Sequence, residues 1–166
     1  MFFAGELVKT ERLFEQKIRI KRITSLVGQI EAISSELETP KSIQLSDMPK
    51  SQNPFDRTTY LLSKKMDLEN ELKRHIKIYK DEQIILNDVI ERISNLPESK
   101  NGQPNSVYQD ILRYVFLENC SIKETNKRLN SSKEDFEEKE DSYLRNLYEW
   151  QRKALLLFYK CQTNLK

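Results

Sequence analysis

The sequence predicts an all-α protein: a long, coiled-coil-like antiparallel helical hairpin followed by a C-terminal helix-turn-helix-like head. Three observations lead there. Apolar residues recur at three- and four-residue intervals over long stretches, as on one stripe of a helix. Glycine and proline occur only 3 and 5 times in 166 residues, too few for a many-turned β architecture or a glycine-rich phosphate loop. The chain is 37% hydrophobic and 33% charged, with a mean hydropathy of −0.72. That balance suits helices packed along narrow seams better than a thick globular core.

The first helix is expected over residues 6–38. Leu13, Ile20 and Val27 recur every seven residues, and Ile23, Ile30 and Leu37 form the companion row of a heptad seam. Leu26 and Ile33 widen the stripe. Gly28 is its weak point, costing about 1 kcal/mol against alanine. Thr39-Pro40 ends the helix, and Pro40, Pro49 and Pro54 lie in a polar stretch, 39–55, that reads as a loop.

Helical periodicity returns over 56–96, with Asp56 as an N-cap. Leu61, Leu68, His75, Val89 and Leu96 share one heptad position. Leu72, Tyr79, Leu86 and Ile93 share the other, while Lys65 and Glu82 interrupt the seam. Folding back on the first helix would cover this one, which gives a hairpin over 1–96. Leu96-Pro97 and the turn chemistry of Asn101-Gly102 and Pro104 make 97–105 a linker and the domain boundary.

Residues 106–166 form the head. A helix runs from Ser106 to about Leu117, and Glu118-Asn119-Cys120 makes a short turn. Ser121 and Glu124 form a capping box that opens a short helix ending at Leu129. Asn130-Ser131 turns again. The Ser132–Asp135 stretch resembles another capped start, with a long helix after it carrying Phe136, Tyr143, Leu147, Trp150, Ala154 and Leu157. Two helices joined by a tight turn give a helix-turn-helix shape. The Ala154–Tyr159 run is apolar nearly all round and is expected to be buried.

Charge is nearly balanced, 28 basic against 26 acidic residues, so its distribution matters more than its sum. The first helix carries Lys17, Arg19, Lys21 and Arg22, and the second carries Lys73, Arg74, Lys77 and Lys80. A closed hairpin would join these into one basic stripe for phosphates or an acidic partner; the plainer account is a solvated helix face. Residues 133–141 hold two lysines and six acids. These acids suit the positive end of a helix, or they mimic nucleic acid toward a basic partner.

Catalysis is not expected. The chain has one histidine, His75, inside a heptad, and the carboxylate pairs Asp67/Glu71 and Glu134/Glu138 have no pocket around them. A zinc site lacks ligands, and no cofactor is implied. Cys120 and Cys161 make no disulfide framework and read as buried thiols of a reduced, cytoplasmic protein. No run approaches the roughly 20 apolar residues of a membrane span. The first residues, MFFAGELVKTER, lack the pattern of a signal peptide. With narrow seams and several C-terminal aromatics (Tyr143, Tyr148, Trp150, Phe158, Tyr159), a homodimer is expected through the last helix, the hairpin, or both.

The order of three segments, SDMPKSQNP (46–54), MDLENEL (66–72) and VYQDILRYVFLENCSIKETNKRLNSS (107–132), resembles the RinA/ArpU-type late-transcription regulators of phages infecting low-GC Gram-positive bacteria. Tyr108, Leu112, Arg113 and Tyr114 match that family's tyrosine–leucine–arginine–tyrosine helix. Asn119, Ser121 and Glu124 match its polar turn and helix start, and Lys153-Ala154-Leu155 its ending.

The resemblance implies a sigma-like helix-turn-helix, acting in the host cytoplasm on double-stranded promoter DNA or on host RNA polymerase. It puts Lys123, Lys127, Arg128, Asn130, Ser131, Ser132 and Lys133 at the nucleic acid. Two departures oppose this. Thr125 and Asn126 stand where the family has an apolar residue and a small alanine. The recognition helix begins acidic, which a phosphate-lined groove repels. The alternative is an inhibitor or antirepressor, for example of a host nuclease or defence complex, that docks Glu134, Asp135, Glu137, Glu138 and Asp141 on a basic host surface.

Overall fold

The computed structural model of the chain describes residues 4–39 and 54–163. Those residues are all-α, with no strand among them. Helix α1 spans Ala4–Glu38 and α2 spans Pro54–Glu91, with a 3-10 turn at Arg92–Asn95. Helix α3, Asn105–Leu112, continues into a π turn at Arg113–Leu117. Helices α4, Ile122–Asn130, and α5, Phe136–Thr163, complete the chain. The proline-rich loop and its SDMP sequence lie outside the described residues. Helix α2 begins at Pro54, two residues ahead of Asp56, so Asp56 does not stand at the expected N-cap place.

The chain forms two compact units. The first comprises Met1–Ile18 with Lys80–Lys166, and the second comprises Arg19–Tyr79. This division cuts α1 and α2 rather than falling at the expected 97–105 linker. The physical reason lies on either side of that linker. Leu86, Val89, Ile90 and Ile93 before it and Tyr108, Ile111, Leu112 and Val115 after it belong to one core cluster.

In the first unit that cluster is completed by Leu13, Phe116, Leu117, Leu147, Ala154, Phe158 and Cys161. Phe14 meets Phe116 edge-on, with ring centroids 5.0 Å apart and planes at 80°. Glu82, one of the two residues that interrupt the α2 seam, accepts two-pronged hydrogen bonds from Arg12 (2.8 and 3.0 Å from Nη2, 3.2 Å from Nε). A fork-on-carboxylate contact satisfies a charge at a seam position.

The 3-10 turn ends α2 with carbonyls that need donors, and α3 supplies them. The buried Asn105 donates from Nδ2 to the carbonyls of Ile93 (3.0 Å) and Leu96 (2.8 Å). Gln109, one turn on, donates to Ile90 (2.9 Å) and Glu91 (3.2 Å). Gly102 makes a close approach: a Cβ there would lie 3.1 Å from the Tyr108 hydroxyl and from Ser99 Cβ.

The turn after the π segment is closed by Asn119, whose φ of 54° is left-handed. Asparagine tolerates that region better than most residues. The Cys120 amide reaches back to Tyr114 O at 2.8 Å, and the Glu118 amide makes the π-type bond to Arg113 O at 2.9 Å.

The capping box forms on both sides. Glu124 N donates to Ser121 Oγ at 3.2 Å, and Ser121 N donates to Glu124 at 2.7 Å. The Ser121 backbone N–H holds the Glu124 carboxyl below its ordinary range. The Ser121→Ala variant is expected to lose about 0.5–2 kcal/mol in urea unfolding. A carboxyl with a lowered folded pKa contributes stability that is present above the unfolded pKa and lost as pH falls through the folded one. Wild type should therefore lose melting temperature on acidification below about pH 4. Glu124→Gln should lose less over that window.

In the second unit, ion pairs join Arg22 to Glu71 at 2.6 Å and Arg57 to Glu36, so the two helical segments run antiparallel. The seam on α1 differs from expectation. Leu26 and Ile33 are buried, while Val27 is 38% exposed. Ile23, Ile30 and Leu37 keep their companion positions, half-buried. Leu26 and Ile33 alternate with Ile23, Ile30 and Leu37 at three- and four-residue spacing, so these five share one stripe and Val27 falls toward its edge.

The last helix also differs. It starts at Phe136 rather than near Ser132, and Lys139 (φ −118°, ψ 18°) interrupts it one turn later. Within Ala154–Tyr159, Ala154 and Phe158 are buried but Leu156 is exposed.

Candidate functional site

The predicted site residues of the head fall on α4, the turn after it and the start of α5. Lys123 and Lys127 are exposed, one turn apart on α4, and Ser131 and Ser132 are exposed in the turn. The other three predicted nucleic-acid contacts have partners within the protein: Asn130 is buried, whereas Arg128 and Lys133 are exposed but engaged.

Arg128 donates to Glu118 at 2.5 Å and lies over the Tyr114 ring, 5.1 Å from its centroid. The Glu118 hydrogen bond raises its pKa further. Asn130 is buried and donates to Asn126 Oδ1 at 2.8 Å. Lys133 holds its ammonium over Tyr143 at 4.4 Å and faces Trp150 at 6.0 Å. An ammonium over a ring face is attracted by the ring quadrupole, so Lys133 is spent on packing the turn to α5.

Asn126 is fully buried where the resemblance expects alanine. Its amide is not orphaned. Besides accepting from Asn130, it donates to the Glu140 carbonyl at 3.4 Å, a long bond that ties α4 to α5 just past Lys139. Thr125, also buried, donates to the Ser121 carbonyl of its own helix at 2.9 Å.

The acidic segment divides into one inward carboxylate and several outward ones. Asp135 accepts from the Tyr143 hydroxyl at 2.6 Å and pairs with Lys139 at 2.8 Å. Lys139 first and Tyr143 second hold its carboxyl below the ordinary range. In turn, Asp135 raises the pKa of both Lys139 and Tyr143. Phe136 stacks on Tyr143 with centroids 6.2 Å apart. Glu134, Glu137, Glu138 and Asp141 are exposed and make no ion pair among the described residues. Glu140 adds a fifth outward carboxylate that the pattern of residue types did not single out.

The basic residues predicted to form one stripe belong to two different units. Lys17 and Lys80 belong to the first, and Lys17 lies 5.9 Å from the Phe116 centroid. Arg19, Lys21, Arg22, Lys73, Arg74 and Lys77 belong to the second, where Arg22 is committed to Glu71. Arg22 holds the Glu71 carboxyl below its ordinary range. His75 Nε2 lies 3.6 Å from the same carboxylate, and its Nδ1 is buried without a partner.

Both cysteines are free and buried, and burial pushes both thiols up. Among the described residues no cluster of histidine, cysteine and carboxylate side chains could hold a metal ion, and no helix is long and apolar enough to cross a membrane. No family model, no curated protein and no solved structure matches the chain.

Two features of the site were missed by sequence reasoning. The contact of Lys133 with the Tyr143 and Trp150 rings had a readable signal, since the two aromatics follow it on one helix at seven-residue spacing. The break at Lys139 had none, because nothing in KEDFEEKED departs from good helix-forming composition.

Proposed function

We propose that the chain is a helical regulator that acts by protein contact, setting the acidic start of α5 on a basic surface that otherwise accepts nucleic acid. One observation carries this reading. Two cations flanking the turn, Arg128 and Lys133, are engaged by Glu118 and by the Tyr143 ring, while Glu134, Glu137, Glu138 and Asp141 are exposed and make no ion pair among the described residues. A surface built this way repels phosphate and steers toward cationic protein. The resemblance to late-transcription regulators makes host RNA polymerase, a nuclease or a defence complex the kind of partner to test.

The test is release of duplex DNA from such a DNA-binding protein. Wild type should compete, and the effect should weaken as salt rises. The quadruple reversal Glu134→Lys, Glu137→Lys, Glu138→Lys, Asp141→Lys should lose competition while keeping its helical circular dichroism. Asp135 is left intact because it holds Tyr143 and Lys139. Undiminished competition by the reversed variant would end the reading.

A second reading, promoter binding, rests on Lys123 and Lys127. They are exposed and make no ion pair among the described residues. Labelled duplex from the encoding operon, measured by anisotropy at low and physiological salt, separates the two readings. Binding that the double variant Lys123→Glu, Lys127→Glu weakens, with a flatter salt slope, would support this second one.

A further inference from the structure

The second unit leaves one flank of α2 uncovered, and that flank matches itself. Lys64, Asp67, Leu68, Asn70, Glu71, Arg74, His75 and Ile78 line an open groove of about 670 Å³. Beside it run Leu62, Met66 and Ile78, which are 53%, 62% and 44% exposed. Together with Asn70 and Arg74, these three form an unbroken row of every fourth residue. Such i±4 rows are the ridges that fit a neighbouring helix's grooves.

We infer that this flank is the seat of a second copy of the same chain, docked through α2 in antiparallel orientation about a two-fold axis between residues 70 and 71. The argument for a copy, rather than some other helix, is charge. Asp67 and Arg74 make no ion pair in the described residues. Arg74 offers only a 3.5 Å contact to the Asn70 carbonyl. Seven residues apart on one helix, they are about 10 Å apart along the axis and miss one another. In an antiparallel copy each meets the other: Asp67 faces the partner's Arg74, and Arg74 faces the partner's Asp67.

The same register sets Asn70 beside the partner's Glu71, whose carboxylate accepts from an amide. It brings Met66 level with the partner's His75, and Leu62 within one residue of the partner's Ile78. Every contact occurs twice, as an isologous interface requires. The polar Asn70 stands at the centre of the ridge, between Met66 and Arg74, and covered by a second copy it would fix register as a single buried asparagine does in coiled coils. This dimer uses none of the acidic residues of α5, so the docking inference and the proposed function stand or fall separately.

Sedimentation velocity of the full chain, over about 1–100 µM, tests the inference. Wild type should approach twice its 19.8 kDa mass. Asp67→Arg and Arg74→Glu should each weaken the dimer about tenfold or more. The combined Asp67→Arg, Arg74→Glu variant should return toward wild type, because both pairs are restored with reversed sign. Met66→Glu should be monomeric, with helical circular dichroism unchanged. A wild-type monomer throughout, or a dimer insensitive to all of these changes, would overturn the inference. Failure of the double variant to recover would overturn the antiparallel register.

Discussion

The Phe116→Ala variant should lose about 3–5 kcal/mol of unfolding free energy, the range for deleting a buried aromatic side chain. Phe116 is fully buried in the π turn, between Val115 and Leu117, which are also buried. Three consecutive inward residues are possible only where packing surrounds the backbone. The π turn meets that condition, with Phe14 of α1 edge-on to the ring and α4 against the turn. Losing the ring forfeits its transfer free energy, leaves a cavity, and removes an aromatic pair worth about 0.5–1.5 kcal/mol more. Urea unfolding followed by Trp150, the single tryptophan, reports on the unit that contains both residues. Phe116→Leu should cost less than about 1.5 kcal/mol, because volume is nearly kept. A loss below about 1 kcal/mol for alanine would mean that the site collapses on the void.

That core was legible where a residue's burial follows from periodicity alone. Leu86, Ile93, Leu147, Ala154 and Leu112 stand at positions a helical stripe must bury, and the capping box at Ser121 and Glu124 was readable from residue identity. Seam position was less legible. Counting by sevens from Leu13 puts Val27 inside, whereas the buried row is Leu26 and Ile33, which alternates with Ile23, Ile30 and Leu37 at three- and four-residue spacing.

Long-range polar contacts were not legible at all. Nothing local to Asn105 or Gln109 indicates that they close the end of α2, because the carbonyls they serve are 9 to 19 residues away in sequence. The candidate site shows the same division. The acids were visible as a composition, but which of them face outward depends on Tyr143 and Lys139 drawing Asp135 in. The cations at 128 and 133 looked available for phosphate until their rings and carboxylate were placed beside them.

Replacing Asn126 by alanine should destabilise the first unit by about 1–3 kcal/mol, although alanine is the residue the family resemblance expects there. The reason is the partner left behind. Asn130 is buried and gives its Nδ2 to Asn126 Oδ1. Without that acceptor, a buried amide donor goes unpaired at its full desolvation cost. The Glu140 carbonyl also loses the Asn126 amide, and with it the tie between α4 and the start of α5.

The double variant Asn126→Ala, Asn130→Ala removes both partners together, so its loss should be smaller than the sum of the two single losses. A double-mutant cycle in urea should return a coupling of about 1 kcal/mol or more. Additive losses would show that the two amides act independently. The coupled result also bears on function, because an alanine at position 126 is compatible with this head only when residue 130 changes with it. The buried amide pair is thus one device that holds the acidic start of α5 against α4. A coupled pair that, when replaced together, preserved stability but abolished DNA release would assign it a positioning role in partner contact.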